Sequence, residues 1–215
     1  MDIILQDIAD FVNKIDERII IGISGHGASG KTTFANRLLK LMTKENVNYM
    51  NTDPYIIGSN LRKYASIDYE YKNIKHHYKM TACHPAAHHI LALERDINMI
   101  RAGLDLYTIK THYIDSTLLS SHNKVNIIEG MSVAFANPDL FDLTIYLYTD
   151  GNIELKRRSG RDIKERGADI NYLIQSHEER RIQYHLFMHP YHQHFDIVLK
   201  NTNEEVIIEK SIFAK

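Results

Sequence analysis

Residues 25–32 read Gly-His-Gly-Ala-Ser-Gly-Lys-Thr, which places Gly25, Gly30, Lys31 and Thr32 at the fixed positions of a G-x-x-x-x-G-K-[ST] phosphate loop. Each residue type has a physical reason to be there. Gly25, Gly27 and Gly30 let the backbone curl so that successive N–H groups point into one concavity, an anion nest. A helix starting near Gly30 adds its positive end, Lys31 has the reach for β- and γ-phosphate oxygens, and the Thr32 hydroxyl suits a Mg²⁺ that bridges them. The run Gly25, His26, Gly27, Ala28, Ser29, Gly30, Lys31, Thr32 and Thr33 is a candidate nucleotide-binding loop, with ATP or GTP as its occupant.

Two acids stand where strands should end. Residues 47–53 (VNYMNTD) read as a strand closing on Asp53 before Pro54, and residues 125–130 (VNIIEG) as one closing on Glu129. In an open parallel sheet ligands bind beyond the carboxyl ends of the strands, so both carboxylates should face the phosphates. Asp53 is expected to orient or deprotonate an attacking hydroxyl, and Glu129 to serve Mg²⁺ directly or through water, with Thr32 and Asp53 on the same metal side. Arg157, Arg158, Arg161 and Arg166 cluster within residues 152–167 on neighbouring helical turns. Such a cluster makes a lid that neutralises transition-state charge and excludes water, the alternative being a solvated helix laced by pairs such as Arg158 with Asp162.

Other candidate groups lead nowhere as directly. Asn13-Lys14-Ile15-Asp16 fits the guanine-reading N-K-x-D pattern, but it lies in an amphipathic stretch upstream of the loop and no D-x-x-G occurs in the chain. His84, His88 and His89, and His189, His192 and His194, lack the acid or thiolate partners of a zinc site and read as solvated or hydrogen-bonded histidines. Cys83 has no evident general base beside it.

The elements that must position these groups follow from periodicity. Apolar residues at helical spacing predict a helix over 3–15, and 19–23 a buried strand before the loop. Phe34, Leu38, Leu41 and Met42 line the helix after it. Residues 58–81 are polar and tyrosine-rich with weak periodicity, which predicts irregular structure with a short helix. Residues 84–101 predict an amphipathic helix with Pro85 in its first turn, ended by Gly103, and 104–114 a short strand or hairpin arm. Residues 143–148 and 195–199 are the fourth and fifth strands; between them lie the arginine-dense residues 152–167 and then a long helical segment reaching to about Met188. Strands alternating with helices give an α/β, doubly wound sheet with helices on both faces.

With 215 residues and 44% apolar content, the chain has enough to bury a core and reads as one domain over 1–215, the lid at 152–167 included. A formal net charge of -1 gives no global field for nucleic acid or an anionic membrane, although the 13 histidines make that charge sensitive between about pH 6 and 7. One cysteine forbids an intramolecular disulfide, the N-terminus reads as neither signal nor transit peptide, and no apolar run is long enough for a membrane span. A cytoplasmic protein is expected; a homo-oligomer is compatible with the sequence.

Taken together, GISGHGASGKTTFANRL, NTDPY, the HPAAH segment, IIEGMSVAFANPDLFDLTIYLYTD, RRSGRDIKERG and FDIVL resemble the uridine kinase and phosphoribulokinase group of P-loop kinases over residues 18–200. The resemblance implies a P-loop NTPase-type three-layer fold with a five-stranded parallel sheet, ATP with Mg²⁺ as phosphoryl donor, and a small-molecule hydroxyl as acceptor. It implies Lys31 and Thr32 on the donor phosphates, Asp53 as catalytic base, Glu129 at Mg²⁺, and Arg158, Arg161 and Arg166 in the lid. The acceptor half should lie around Tyr55, Cys83, His84 and Tyr113. There the chain departs from uridine kinases, which typically show Phe-Asp-His-Pro where it has Ala82-Cys83-His84-Pro85. They also carry a Tyr-Asp and a base-reading histidine where residues 112–119 (HYIDSTLL) offer no clear equivalent. Losing such buried polar contacts lowers nucleoside affinity, so the acceptor is either uridine-like or a non-nucleoside metabolite such as a sugar, sugar phosphate or vitamin precursor. A regulatory ATPase acting through a partner is the remaining alternative.

Overall fold

The apolar runs of the sequence become the strands of one sheet. The computed structural model describes residues 1–42, 47–166 and 169–213, with residues 161–166 and Tyr172 described as backbone only. In chain order the elements are α1 (Asp2–Asn13), β1 (Ile19–Ser24), α2 (Lys31–Leu41), β2 (Val47–Asn51), the one-turn α3 (Ser59–Arg62), β3 (Ser66–Tyr71) and β4 (Ile74–Lys79). There follow α4 (Ile90–Arg101), β5 (Leu106–Tyr107), β6 (Leu118–Leu119), β7 (Val125–Glu129), β8 (Leu143–Tyr148), α5 (Gly151–Arg166), α6 (Ile170–Gln183), β9 (Ile197–Asn201) and β10 (Val206–Lys210).

The main sheet runs in the order β10-β9-β8-β1-β7-β2. The five expected strands are parallel, with β1 central and in register with β7 from Ile19↔Val125 to Ile23↔Glu129. That register puts the end of β1, where the phosphate loop departs, beside Glu129. A sixth strand, β10, adds an antiparallel edge to β9 that the five-strand expectation lacked. Its residues are mostly exposed, so VIIEK carries no buried apolar run that a sequence reading would catch.

Alternation along β1 divides the core into two layers. Ile19, Ile21 and Ile23 pack with Ile8 of α1 and Phe34 and Leu38 of α2 on one face. Ile20 packs with Leu93, Ile97 and Ile100 of α4 and with Val133 on the other. Each such side chain, fully buried, contributes about 1.5–3 kcal/mol, and burial on both faces is why β1 is continuously apolar.

Two local expectations differ from the structure. Within residues 58–81, β3 and β4 form a hairpin turned by Lys72 and Asn73, both at positive φ (52° and 63°). This is the tight turn that matches strand twist, made without glycine. The helix expected from His84 starts at Ile90, because residues 85–87 form a 3₁₀ turn and His88 is extended, bridging Ile56. After β8, the arginine-dense segment forms α5 and the helical segment that follows it forms α6, which ends in a π-turn over Tyr184–Met188.

Candidate functional site

β1 ends at Ser24 and the chain turns through residues 25–30 into α2. The left-handed positions are Gly25 (φ 143°), Ala28 (φ 62°) and Gly30 (φ 100°), not Gly27. Gly25 is the position that tolerates no other residue: a Cβ there would lie 1.8 Å from the Leu147 carbonyl oxygen of β8. The loop is held from β9 as well, where Asn201 Nδ2 donates to the Ser29 carbonyl at 2.8 Å. A loop set against β8 and bonded from β9 keeps its N–H groups oriented before any ligand arrives.

The polar side chains expected around this loop meet. Lys31, nearly buried, donates from Nζ to the His26 carbonyl at 3.1 Å and lies 3.9 Å from Glu129 Oε1. Glu129, 2% exposed, accepts at Oε2 from Thr32 Oγ1 (3.1 Å) and from the Tyr49 hydroxyl of β2 (2.8 Å). Gly130, at φ 147°, lets Thr52 approach to where a Cβ would sit 2.0 Å from Thr52 Oγ1, and Thr52 N–H donates to the Glu129 carbonyl at 2.7 Å. Asp53 follows at the start of the 3₁₀ turn Asp53–Tyr55, its N–H held by Asn51 Oδ1 at 2.7 Å. Its carboxylate is half-buried and accepts no hydrogen bond from a described residue. Burial raises the Tyr49 phenol, and the charges of Glu129 and Asp53 raise it further, so Tyr49 stays a donor. The donor set of hydroxyl and carboxylate oxygens, with Thr52 Oγ1 buried and unpartnered beside it, fits a hard, oxygen-seeking ion such as Mg²⁺.

His26 is fully buried and joins the loop to the root of α5. Its Nε2 accepts the Thr149 N–H at 3.0 Å, which leaves the proton on Nδ1, donated to the Gly27 carbonyl at 2.9 Å with Glu154 Oε2 3.4 Å away. Burial lowers its pKa to about 4, so the ring is neutral. Glu154 is itself buried and accepts from Arg181 Nη1 of α6 at 2.9 Å. Burial pushes the Glu154 carboxyl up, but His26, Arg180 and Arg181 more than reverse that, for a net lowering. The Arg181 guanidinium also lies over the Tyr184 ring, whose edge meets His26.

The lid expectation divides. Arg158 is buried, with Nη1 3.9 Å from Glu154 Oε1. Arg157 donates to the Thr202 carbonyl at 2.9 Å. The side chains of Arg161 and Arg166 lie outside the described residues. On the acceptor side, Tyr55 is a core residue rather than a cleft residue: 1% exposed, its hydroxyl donates to Asp96 of α4 at 2.5 Å. His84 caps the turn Pro85–Ala87, accepting the Ala86 N–H at Nδ1, and packs edge-on against Phe187, with burial lowering its pKa. Tyr113 sits in the exposed connection between β5 and β6, its ring against His112. Cys83 is buried and its thiol is pushed up by that burial.

Several participants escaped the sequence reading. Tyr49 and Asn201 lie in or at the ends of strands that were recognised, and their polar character so near the carboxyl edge was the available signal. Glu154, Arg180 and Arg181 had none, because their roles depend on α6 folding back over α5. The last turn of α6 is also fastened to the β3–β4 hairpin: Tyr69 and His76 bond Glu179 at 2.5 and 2.9 Å, and Gln183 bonds Thr81 N and the Lys79 carbonyl at 2.9 and 3.0 Å.

Comparison with known proteins bears on the family and the fold. The model of the phosphoribulokinase / uridine kinase family matches residues 20–207. A uridine kinase of Lactobacillus helveticus is 28% identical over 206 residues, covering 90% of this chain and 91% of that protein. A D-glycerate 3-kinase of Cryptococcus neoformans superposes with a TM-score of 0.60 at 11% identity, covering 95% of this chain and 99% of that one. A phosphoribulokinase of Rhodobacter spheroides gives 0.58 at 16% identity, covering 86% and 70%. At those two identities the likeness is one of fold.

Proposed function

The chain belongs to the phosphoribulokinase and uridine kinase family, and from that premise we propose that it moves the γ-phosphate of ATP onto a hydroxyl group of a small molecule. The observation that carries this reading is the meeting of Lys31, Thr32 and Glu129 around one braced anion nest, with Asp53 following the adjacent strand end. The nest and Lys31 bind the donor phosphates and orient the γ-phosphorus. Asp53 accepts the proton of the acceptor hydroxyl as its oxygen bonds to that phosphorus; the bond to the β,γ-bridging oxygen breaks and its electron pair leaves on ADP. Thr32 and Glu129, with Asp53 on the same side, would hold Mg²⁺, which when bound offsets the negative charge of the phosphates.

For the acceptor, the L. helveticus relative's name points to uridine, whereas this chain has no Asp or Glu between Glu70 and Glu94 and a buried Cys83 within that stretch. Without a carboxylate to hold ribose hydroxyls, a non-nucleoside hydroxyl compound is favoured. An ADP-release screen with Mg-ATP against nucleosides, sugars, sugar phosphates and pantothenate-like compounds decides between them. Strong stimulation by uridine or cytidine would remove the non-nucleoside preference. A low rate answering only to a protein would replace the kinase with a regulatory ATPase. Asp53→Asn should keep ATP binding and lose transfer; unchanged turnover would take Asp53 out of the mechanism.

A further inference from the structure

Building on the phosphoryl-transfer reading above, we propose that Arg180, on the last turn of α6, is the catalytic arginine that contacts the transferred phosphoryl group, a role separate from the arginines of α5. Its position comes first. Arg180 Nη2 lies 3.7 Å from where a Cβ on Gly27 would sit, so the guanidinium stands against the middle of the phosphate loop. Its charge also acts on the buried Cys83 thiol.

Its charge helps lower the Glu154 carboxyl, yet its fork is taken up by no carboxylate among the described residues. Arg180 Nε is buried without a hydrogen-bond partner, and the side chain makes no ion pair or hydrogen bond with a described residue. The next residue shows the contrast: Arg181 is taken up by Glu154, the Thr149 carbonyl and the Tyr184 ring. Glu154 Oε2 takes Arg181 and lies 3.4 Å from His26, while Arg158 stands 3.9 Å from Oε1. A part-buried guanidinium beside an anion nest, with its planar fork unpaired, is matched to two oxygens of a phosphoryl group.

Its placement is also fixed in advance. Glu179 is bound by Tyr69 and His76, Arg181 by Glu154, and Gln183 by Thr81 and Lys79, so the turn carrying Arg180 is fastened on both sides of it. Preorganised charge of this kind stabilises a transition state more than a bound ground state. Arg180 changes no bond itself. It donates to the non-bridging oxygens while the acceptor oxygen bonds to phosphorus, the β,γ-bridging bond breaks onto ADP, and the hydroxyl proton passes to Asp53.

The test needs no knowledge of the acceptor. Calorimetry on the full chain measures the affinity for Mg-ADP alone and with aluminium fluoride, a mimic of the phosphoryl group in flight. Wild type should bind Mg-ADP and bind it more tightly with the fluoride. Arg180→Ala should keep Mg-ADP affinity within about threefold and lose roughly a hundredfold of the tightening, while Arg180→Lys, retaining charge without the fork, should lose part of it. Undiminished tightening in Arg180→Ala overturns the assignment while leaving the kinase reading intact, and so does a wild type that binds Mg-ADP but gains nothing from the fluoride. Parallel loss of Mg-ADP affinity and tightening in both variants shows a structural role and also overturns it. Wild type that binds no nucleotide at all defeats the kinase reading, and Arg180 falls with it.

Discussion

The neutral, buried His26 gives the chain a stability that acid should remove in a calculable way. In the unfolded chain the ring titrates at about 6.5, whereas in the fold its pKa is lowered to about 4 by burial. Below about pH 6.5 the unfolded state therefore binds a proton that the folded state refuses, so stability is full above that value and declines as pH falls toward 4. Between about pH 7.5 and pH 5 this one group accounts for about 2 kcal/mol, from the ratio of the two binding polynomials. His88, lowered to about 4 by burial while bonded to Ser132 and Ala82, and His189, also near 4, add losses of the same sign, so wild type alone does not isolate the term. His26→Gln does: it keeps a neutral amide in the ring's place and cannot titrate. Urea unfolding of both proteins at the two pH values gives a double difference. The decline in wild type should exceed that in His26→Gln by about 2 kcal/mol. Parallel declines would mean that His26 is not held neutral in the fold, and the link from Gly27 through the ring to Thr149 would have to be redrawn.

Lys31→Ala should weaken ADP binding roughly tenfold to a hundredfold, the loss of one charge-assisted contact, measurable by calorimetry. Glu129→Gln should raise the Mg²⁺ concentration for half-maximal ADP release about tenfold or more, because Thr32 and Tyr49 keep their hydrogen bonds while the anionic charge is lost. Gly25→Ala should cost about 3 kcal/mol or more in urea unfolding, since its Cβ would overlap the Leu147 carbonyl and force β1 and β8 apart. Tyr55→Phe should cost about 1–3 kcal/mol by removing the donor to buried Asp96, with turnover unchanged, in keeping with its place in the core.

What was legible in the sequence is what local pattern determines. The five parallel strands announced themselves because both faces of the sheet are covered, so β1 and β8 are nearly unbroken apolar runs. The phosphate loop was legible because its spacing is set by one turn of backbone. The edge strand β10 was not, since its side chains face mostly solvent. The β3–β4 hairpin was missed for a related reason: its turn uses Lys72 and Asn73 rather than glycine, and its buried contacts are Tyr69 and His76 against Glu179, polar groups over a hundred residues away in sequence. Tyr55 misled because its ring, two residues beyond Asp53, turns into the core beneath α4.

The arginines show why a charge-dense segment cannot be assigned from spacing. Arg157, Arg158, Arg161 and Arg166 all lie in α5, but helical spacing says nothing about which carboxylate each will meet. Glu154, one turn before Arg158, is buried and becomes a sink for Arg158, Arg181 and the His26 N–H together. Its partners are held by that carboxylate and are poorly suited to follow charge as it develops on phosphate. Adjacent Arg180 and Arg181 both act on the charge of Glu154, but only Arg181 reaches that carboxylate at hydrogen-bond distance. The residues that bind in the ground state are therefore written into a short motif. The residue best placed to act in the transition state emerges only when two helices and a hairpin close on the same turn.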